Sequence, residues 1–300
     1  MNTSKIVNPA FDTVIVGSGP NGLAAAITLA RHGLRVLVVE GSATIGGGSR
    51  SAELTLPGFT HDVCSAVHPL ALTSPFFRSL DLTAHGVEWC MPPVSLAHPL
   101  DGGRAVLVHQ SVAMTATQMG ADAETYCRLY QPLVDRYPRL MQYLLSNLRL
   151  PQSPLLLARF GLSAVRSAAG LARTRFRGEE ARAVFAGMAA HGMLPLEQKG
   201  SASFGLVLAL SAHAVGWPVV KGGSQRIVDA MAAVLRSLGG EIVTGQMVSD
   251  LAELPTSRAV LLDVSPRDLL KIAGNRLPRA YRDRLSRYRY GAGVFKVDWA

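Results

Sequence analysis

Acidic residues, aromatics and cysteines are all scarce in this sequence, and each shortage excludes something. The three cysteines, Cys64, Cys90 and Cys127, are far apart and form no CxxC pair. That pattern argues against a zinc ribbon or a redox-active dithiol. Each is expected to be a small buried hydrophobe in a reducing compartment, so a cytoplasmic location is expected. Asp and Glu number 21 against 30 Lys and Arg, which leaves a net charge of +9. Such a balance suits nucleic acid, acidic lipid or an anionic ligand. Aromatics make up only 6% and do not interleave with the cations. With no helix-turn-helix, zinc-finger or RNP pattern either, no nucleic-acid partner is expected. No HExxH or Ser-His-Asp arrangement is visible, so no metal site is expected and no catalytic residue is named. The first residues lack the charged start, apolar stretch and cleavage site of a secretory signal.

What is present is globular: 48% hydrophobic and 17% charged over 300 residues. This supports a large aliphatic core in one large or two interleaved domains. Residues 12–17 (DTVIVG) read as a buried strand and 20–32 as a helix with Pro20 in its first turn; 35–40 (RVLVVE) is a second strand. Two strands joined this way run parallel with a right-handed crossover. Between them lies Gly17-Ser18-Gly19-Pro20-Asn21-Gly22, a G-x-G-x-x-G turn, and Glu40 ends the second strand. In that context the pattern is a dinucleotide fingerprint. Gly17 allows the tight turn, Gly19 the approach of a pyrophosphate, and Gly22 close packing of helix on sheet. The helix N-terminus faces the phosphates. A carboxylate at Glu40 accepts from ribose hydroxyls and repels a 2′-phosphate.

The fingerprint alone does not separate FAD from NAD. After Glu40 come Gly46-Gly47, then Pro57-Gly58-Phe59 and Asp62. With these, the sequence resembles the phytoene desaturase and amine oxidase superfamily of flavoproteins, in particular its phytoene-dehydrogenase-like FAD-dependent oxidoreductases. Further likenesses are Gly216-Trp217-Pro218, Lys221-Gly222-Gly223-Ser224, Gly239-Gly240-Glu241-Ile242, Asp263 to Pro266, and Tyr290 to Trp299. The resemblance implies FAD as cofactor and a lipophilic small molecule as substrate, oxidised, desaturated or isomerised. It implies cofactor contacts at Gly17, Gly19, Pro20, Asn21, Gly22, Glu40, Gly46 and Gly47, and an adenine-side strand carrying Val248. The family's GGR has glycine at its third place here, Gly48, which leaves Arg50 as the candidate basic residue. By the same resemblance, the segment with His61, Asp62, Cys64 and His68 approaches the flavin ring; loop groups satisfied by backbone are the alternative.

The expected fold is α/β: a Rossmann-like FAD domain split in sequence, with an inserted α+β substrate domain. The expected boundaries are 1–70 and 216–265 for the FAD domain, 71–215 for the insertion, and 266–300 for the start of a further substrate segment. Residues 87–109 alternate strand and turn, 111–148 look helical with interruptions near Pro132 and Pro138, and 258–265 read as a buried strand. Residues 200–220 contain no Asp, Glu, Lys or Arg but carry Gly205, His213, Gly216 and Pro218, so a buried helix is expected rather than a membrane span. Residues 155–177 set Arg159, Arg166, Arg173, Arg175 and Arg177 among apolar residues; a solvated cationic face and a peripheral membrane contact are both open. The chain stops in strand-like VFKVDWA, and the family's C-terminal glycine-rich element is absent; an interrupted chain is therefore expected. An NAD-dependent dehydrogenase, and a truncated, non-catalytic dinucleotide-binding remnant, are the alternatives.

Overall fold

The computed structural model describes residues 10–146 and 150–300. The sequence reading of the first nine residues, and the end of the helical reading over 111–148, lie outside the described residues.

The chain opens with a strand, Phe11–Val16 (β1), a helix, Pro20–Arg31 (α1), and a second strand, Val36–Val39 (β2). Val14, Ile15 and Val16, like all four residues of β2, are buried in succession. Consecutive burial marks strands covered on both faces, as in parallel sheets with crossover helices. Helix α1 buries Leu23, Ala26, Ile27 and Ala30, at i, i+3, i+4 and i+7, and ends at Gly33, whose φ is +76°. Strands β1 and β2 pair in parallel, Val14 opposite Leu37.

From Gly41 the chain makes a hairpin, Ser51–Glu53 (β3) and Thr60–Asp62 (β4), a one-turn helix, Pro75–Arg78 (α2), and a short strand, Trp89–Cys90 (β5). A second hairpin, Leu96–Pro99 (β6) and Ala105–Val108 (β7), turns at Asp101–Gly103, within the stretch expected to alternate strand and turn. Seven helices follow: Val112–Ala116 (α3), Ala123–Val134 (α4), Tyr137–Leu144 (α5), Pro154–Ala164 (α6), Ala168–Arg175 (α7), Glu179–Ala190 (α8) and Ala202–Ala214 (α9). They share one core with β7, into which Tyr126, Tyr130, Tyr137, Phe160, Phe176 and Phe185 point. Helix α9 sits in that core, and no single helix among the described residues is long and apolar enough to cross a membrane.

Pro132 does not interrupt the helix as expected; α4 runs through it to Val134. Proline at 132 has no N–H for the Arg128 carbonyl four residues back, and that oxygen instead accepts from Arg159 Nη2 on α6 at 3.0 Å. A tertiary donor thus replaces the missing helical one, and the break falls after Asp135.

The chain returns through Val219–Val220 (β8), which pairs with β5, then an amphipathic helix, Gln225–Ser237 (α10), and strands Glu241–Val243 (β9) and Ser257–Leu262 (β10). Helices Pro266–Ala273 (α11) and Arg279–Ser286 (α12) follow. The main sheet has the order β10-β1-β2-β9 and is parallel throughout. Helices α1 and α10 pack on one face, with Leu80, Leu82 and Val87 from the start of the inserted region in the same core. The opposite face holds Val14, Val16, Leu37 and Val39 against Val248 and Ile272.

Three expectations are corrected here. Strand β10 is not buried: it is the sheet's edge, with Val260 38% exposed. Its apolar run resembles a central strand because one side pairs with β1. Residues 287–300 form no strand, and Val294, Phe295 and Trp299 are 79%, 91% and 83% exposed. Apolar composition favours a strand only where a neighbouring edge accepts it. Cys64, in the loop after β4, is exposed, and Cys90 and Cys127 are half-buried, so none of the three is a fully buried hydrophobe.

Candidate functional site

In the sheet, β2 lies on one side of β1 and β10 on the other, so the chain reverses direction of travel at β1. Such a switch point leaves a crevice at the carboxyl ends of the strands, where open α/β sheets hold their ligands. A cavity of about 610 Å³ occupies it. Val16 to Asn21 form its floor, Glu40 and Gly41 one wall, and Gly47 and Gly48 a flap. Met247 to Ser249 and the segment from Asp263 to Ile272 complete it. That volume falls in the range of small-molecule and cofactor sites.

Each glycine of the turn has its own constraint. Gly17 has φ +104°, and a Cβ there would strike the Asp263 backbone carbonyl. A Cβ on Gly22 would collide with the Gly17 carbonyl oxygen. Gly19 differs: its φ is an ordinary −63°, and a Cβ would meet only Asp263 Oδ2 at 3.5 Å. The space above Gly19 is therefore open to the cavity. Gly47 leans over it, since a Cβ on Gly47 would lie 3.2 Å from Gly19 Cα.

Glu40 is locked in place. It accepts from Ser18 N at 2.9 Å, Ser18 Oγ at 2.6 Å and Ser42 N at 2.8 Å. Burial opposes its ionisation, but the hydrogen bonds from Ser18 and Ser42 outweigh it and hold the carboxyl below its ordinary value. A fixed carboxylate remains, with unused lone pairs toward the cavity. Asp263 is a second one: its Oδ2 accepts from Gly22 N at 2.8 Å in the first turn of α1. Pro20 has no N–H, so Asn21 is the first-turn donor left for an anion. Lys271 is the one cation among the cavity's described lining, next to Asp268 at 3.4 Å.

Of the ten expected cofactor residues, Gly17, Gly19, Pro20, Asn21, Glu40, Gly47 and Val248 line this cavity. Gly22 lies beneath it. Gly46, with φ +119°, packs against Val228 instead. Arg50 turns back on its own loop, Nε donating to Gly47 O at 3.0 Å, and is not in the lining. Val248 lies in the loop after β9, not in a strand, where Gln246 N donates to Glu40 O. Sequence reasoning missed Asp263, Asp268 and Lys271 as wall residues. An acid directly after a strand's end was the available signal for Asp263.

The His61–His68 segment is an anchor. Asp62 Oδ1 accepts from Ser51 Oγ at 2.6 Å and from Ser224 N at 2.7 Å, and Ser51 Oγ accepts from Gln225 N at 3.0 Å. This ties the β3–β4 hairpin to the start of α10. Ser224 Oγ donates to Ser65 O, so His68 Nε2, 2.7 Å away, is a donor to it. Burial lowers the His68 pKa, against the opposing pull of Asp62. Within the insertion, His213 Nδ1 donates to His109 O at 3.0 Å and Nε2 accepts from Tyr126 OH at 2.8 Å. Burial keeps this imidazole neutral too, in spite of the carbonyls of Gln110 and His109. A second hollow of about 900 Å³ lies between α2, α5 and the end of α9, with Arg78, Asp135 and Gln142 giving it a polar lining.

Comparisons with known proteins bear on the fold that carries this crevice. A family profile described as an NAD(P)-binding Rossmann-like domain matches residues 15–80. The chain is 26% identical to pyridine nucleotide-disulfide oxidoreductase domain-containing protein 2 of Rattus norvegicus, covering 98% of this chain and 60% of that protein. It is 31% identical to one of the subunits of the limonene dehydrogenase of Castellaniella defragrans, over 40% of this chain and 22% of that one. Among solved structures, a putrescine oxidase redesigned in its cofactor binding superposes with a TM-score of 0.62 at 21% identity, over 92% of this chain and 63% of that one. The chain thus spans 60% or less of the length of these two curated relatives. The fold is therefore α/β with a Rossmann-like dinucleotide-binding domain, shared with amine-oxidase-like oxidoreductases.

Proposed function

We propose that this chain binds FAD in the switch-point crevice and acts as a phytoene-dehydrogenase-like oxidoreductase on a lipophilic organic substrate, by desaturation, dehydrogenation or isomerisation. The observation that carries the reading is the convergence on one cavity of the open Gly19 turn, the fixed Glu40 carboxylate and the Gly47 flap. A bound flavin would supply hydride acceptance. The chain's own residues bind and orient it. Asn21 and the N-terminus of α1 face the phosphates. Glu40 takes the ribose hydroxyls, and Met247 and Val248 form the apolar seat for the adenine. The Gly46-Gly47 pair after Glu40 supports FAD over NAD through the family resemblance it carries. The lipophilic substrate rests on the family resemblance and on the apolar compound in the name of the limonene dehydrogenase relative.

An NAD-dependent dehydrogenase is the second reading, favoured by the description of the matching profile. The absorption spectrum of the purified chain separates the two. A flavin band near roughly 450 nm, released by denaturation as FAD, is expected, since the chromophore belongs to the cofactor. A colourless protein that takes up NAD and leaves added FAD free would overturn the proposal.

A further inference from the structure

Between Arg136 and Gly178 the sequence holds eight arginines and no Asp or Glu. Among the seven described, only Arg173 forms a side-chain ion pair, with Glu197 at 3.9 Å, and Arg177 meets Asp122 through its backbone N–H at 2.8 Å. Arg159 and Arg139 donate to a backbone carbonyl and a serine, on Arg128 and Ser153, and Arg166 folds onto Gly170 O and Thr174 Oγ1. The side chains of Arg136, Arg175 and Arg177 form no ion pair among the described residues, and on this surface the arginines outnumber the carboxylates beside them, Asp122, Glu124 and Glu197.

The same region exposes large aliphatic side chains. Leu150 is 93% exposed, Leu155 86%, Leu162 75% and Val165 65%. Leu155 and Leu162 stand at i and i+7 on one face of α6, with Arg159 beside them and Val165 at the helix's C-cap. The opposite face of α6 buries Leu156, Phe160 and Ala164 in the core, and α7 buries Ala168, Leu171 and Ala172 there after a 99° bend. Those buried faces cannot leave the core to span a bilayer, so the corner can only lie on one. Exposed leucines flanked by an excess of arginine form the pattern of a helix set at a lipid interface.

We propose that the α6–α7 corner is a membrane-docking surface, inserting Leu150, Leu155, Leu162 and Val165 among acyl chains while the arginines meet anionic lipid headgroups. Charge selects the occupant: a neutral partner would leave the arginines unpaired. An anionic leaflet supplies both counterion and apolar phase.

The test is co-sedimentation of the full chain with vesicles of phosphatidylcholine alone, and of equal parts phosphatidylcholine and phosphatidylglycerol. Binding to the mixed vesicles is expected, weakened by salt and far lower on the neutral ones. Leu155→Ser with Leu162→Ser should abolish it with an unchanged melting temperature, both side chains being exposed in the wild type. Arg175→Gln with Arg177→Gln should weaken it, by roughly fivefold for each arginine removed. Four results would overturn the proposal. One is no preference for the anionic vesicles. A second is full binding by the leucine variant. The third is a dimer in lipid-free solution that the leucine variant dissolves, which would assign the face to a second copy of the chain. Inorganic phosphate displacing the protein at equal ionic strength would likewise replace the membrane with a soluble-anion site.

Discussion

At the scale of single residues, the phosphate turn separates binding from stability. Gly19→Val should leave the denaturation midpoint almost unchanged, because its backbone is ordinary and the space above it is open. It should abolish dinucleotide uptake, since the new methyls occupy the pyrophosphate's position. Gly22→Ala should do the reverse first: its Cβ meets a fixed backbone oxygen, so stability falls by about 1–3 kcal/mol. Denaturation and flavin content measured on both variants check the contrast. Asp263 sets a third expectation. Its carboxylate sits where an anionic ligand would come, and Asn keeps the acceptor for Gly22 N while removing the charge. Asp263→Asn should therefore bind the dinucleotide severalfold more tightly, read by titration at low salt. The turn and Glu40 were legible because strand, spacing and acid coincide in about 25 residues. Asp263 was not, because its role depends on a strand 241 residues from its partner.

At the scale of elements, buried histidines clamp the packing. Tyr126 on α4 donates to His213 on α9, and Tyr126→Phe leaves Nε2 buried without its donor. The expected cost is about 1–3 kcal/mol in a urea melt. Acid should loosen the structure for a related reason. Burial lowers the pKa of His68 and His213, and of His98 with help from His191. Groups held neutral when folded weigh against the fold once the unfolded chain can take a proton. Stability should be full above the ordinary histidine value of roughly 6.5 and fall as pH drops through the window below it. Urea midpoints at about pH 7.5 and about pH 5.5 would show this loss, and His213→Gln should flatten it. Helices α4 and α9 were readable from the sequence. That α4 continues through Pro132 was not, because the donor that rescues it, Arg159, comes from another helix. Nor could the exposure of β10 be read, since an edge strand and a central strand have the same apolar pattern when only one neighbour differs.

At the scale of the whole molecule, the exposed apolar groups are unevenly spread. Besides the α6 face, they include Phe295 and Trp299, in the segment whose Asp298 meets His61 of the β3–β4 hairpin, while the main sheet leaves its edge β10 open. Open edges and apolar segments favour association. Phe295→Ser with Trp299→Ser should shift the chain toward the monomer in concentration-dependent light scattering, without changing dinucleotide binding. The order of assembly follows from the same topology. Ribosomes build the phosphate turn first, and its far wall arrives only with Asp263, after the whole helical insertion. A nascent chain halted before β10 has the fingerprint but no closed crevice. A ligand that needs both walls stabilises finished molecules alone, by mass action. On the proposed reading, only chains that have reached Asp263 gain that stabilisation, and cells short of the dinucleotide should lose this protein to proteases sooner than replete cells.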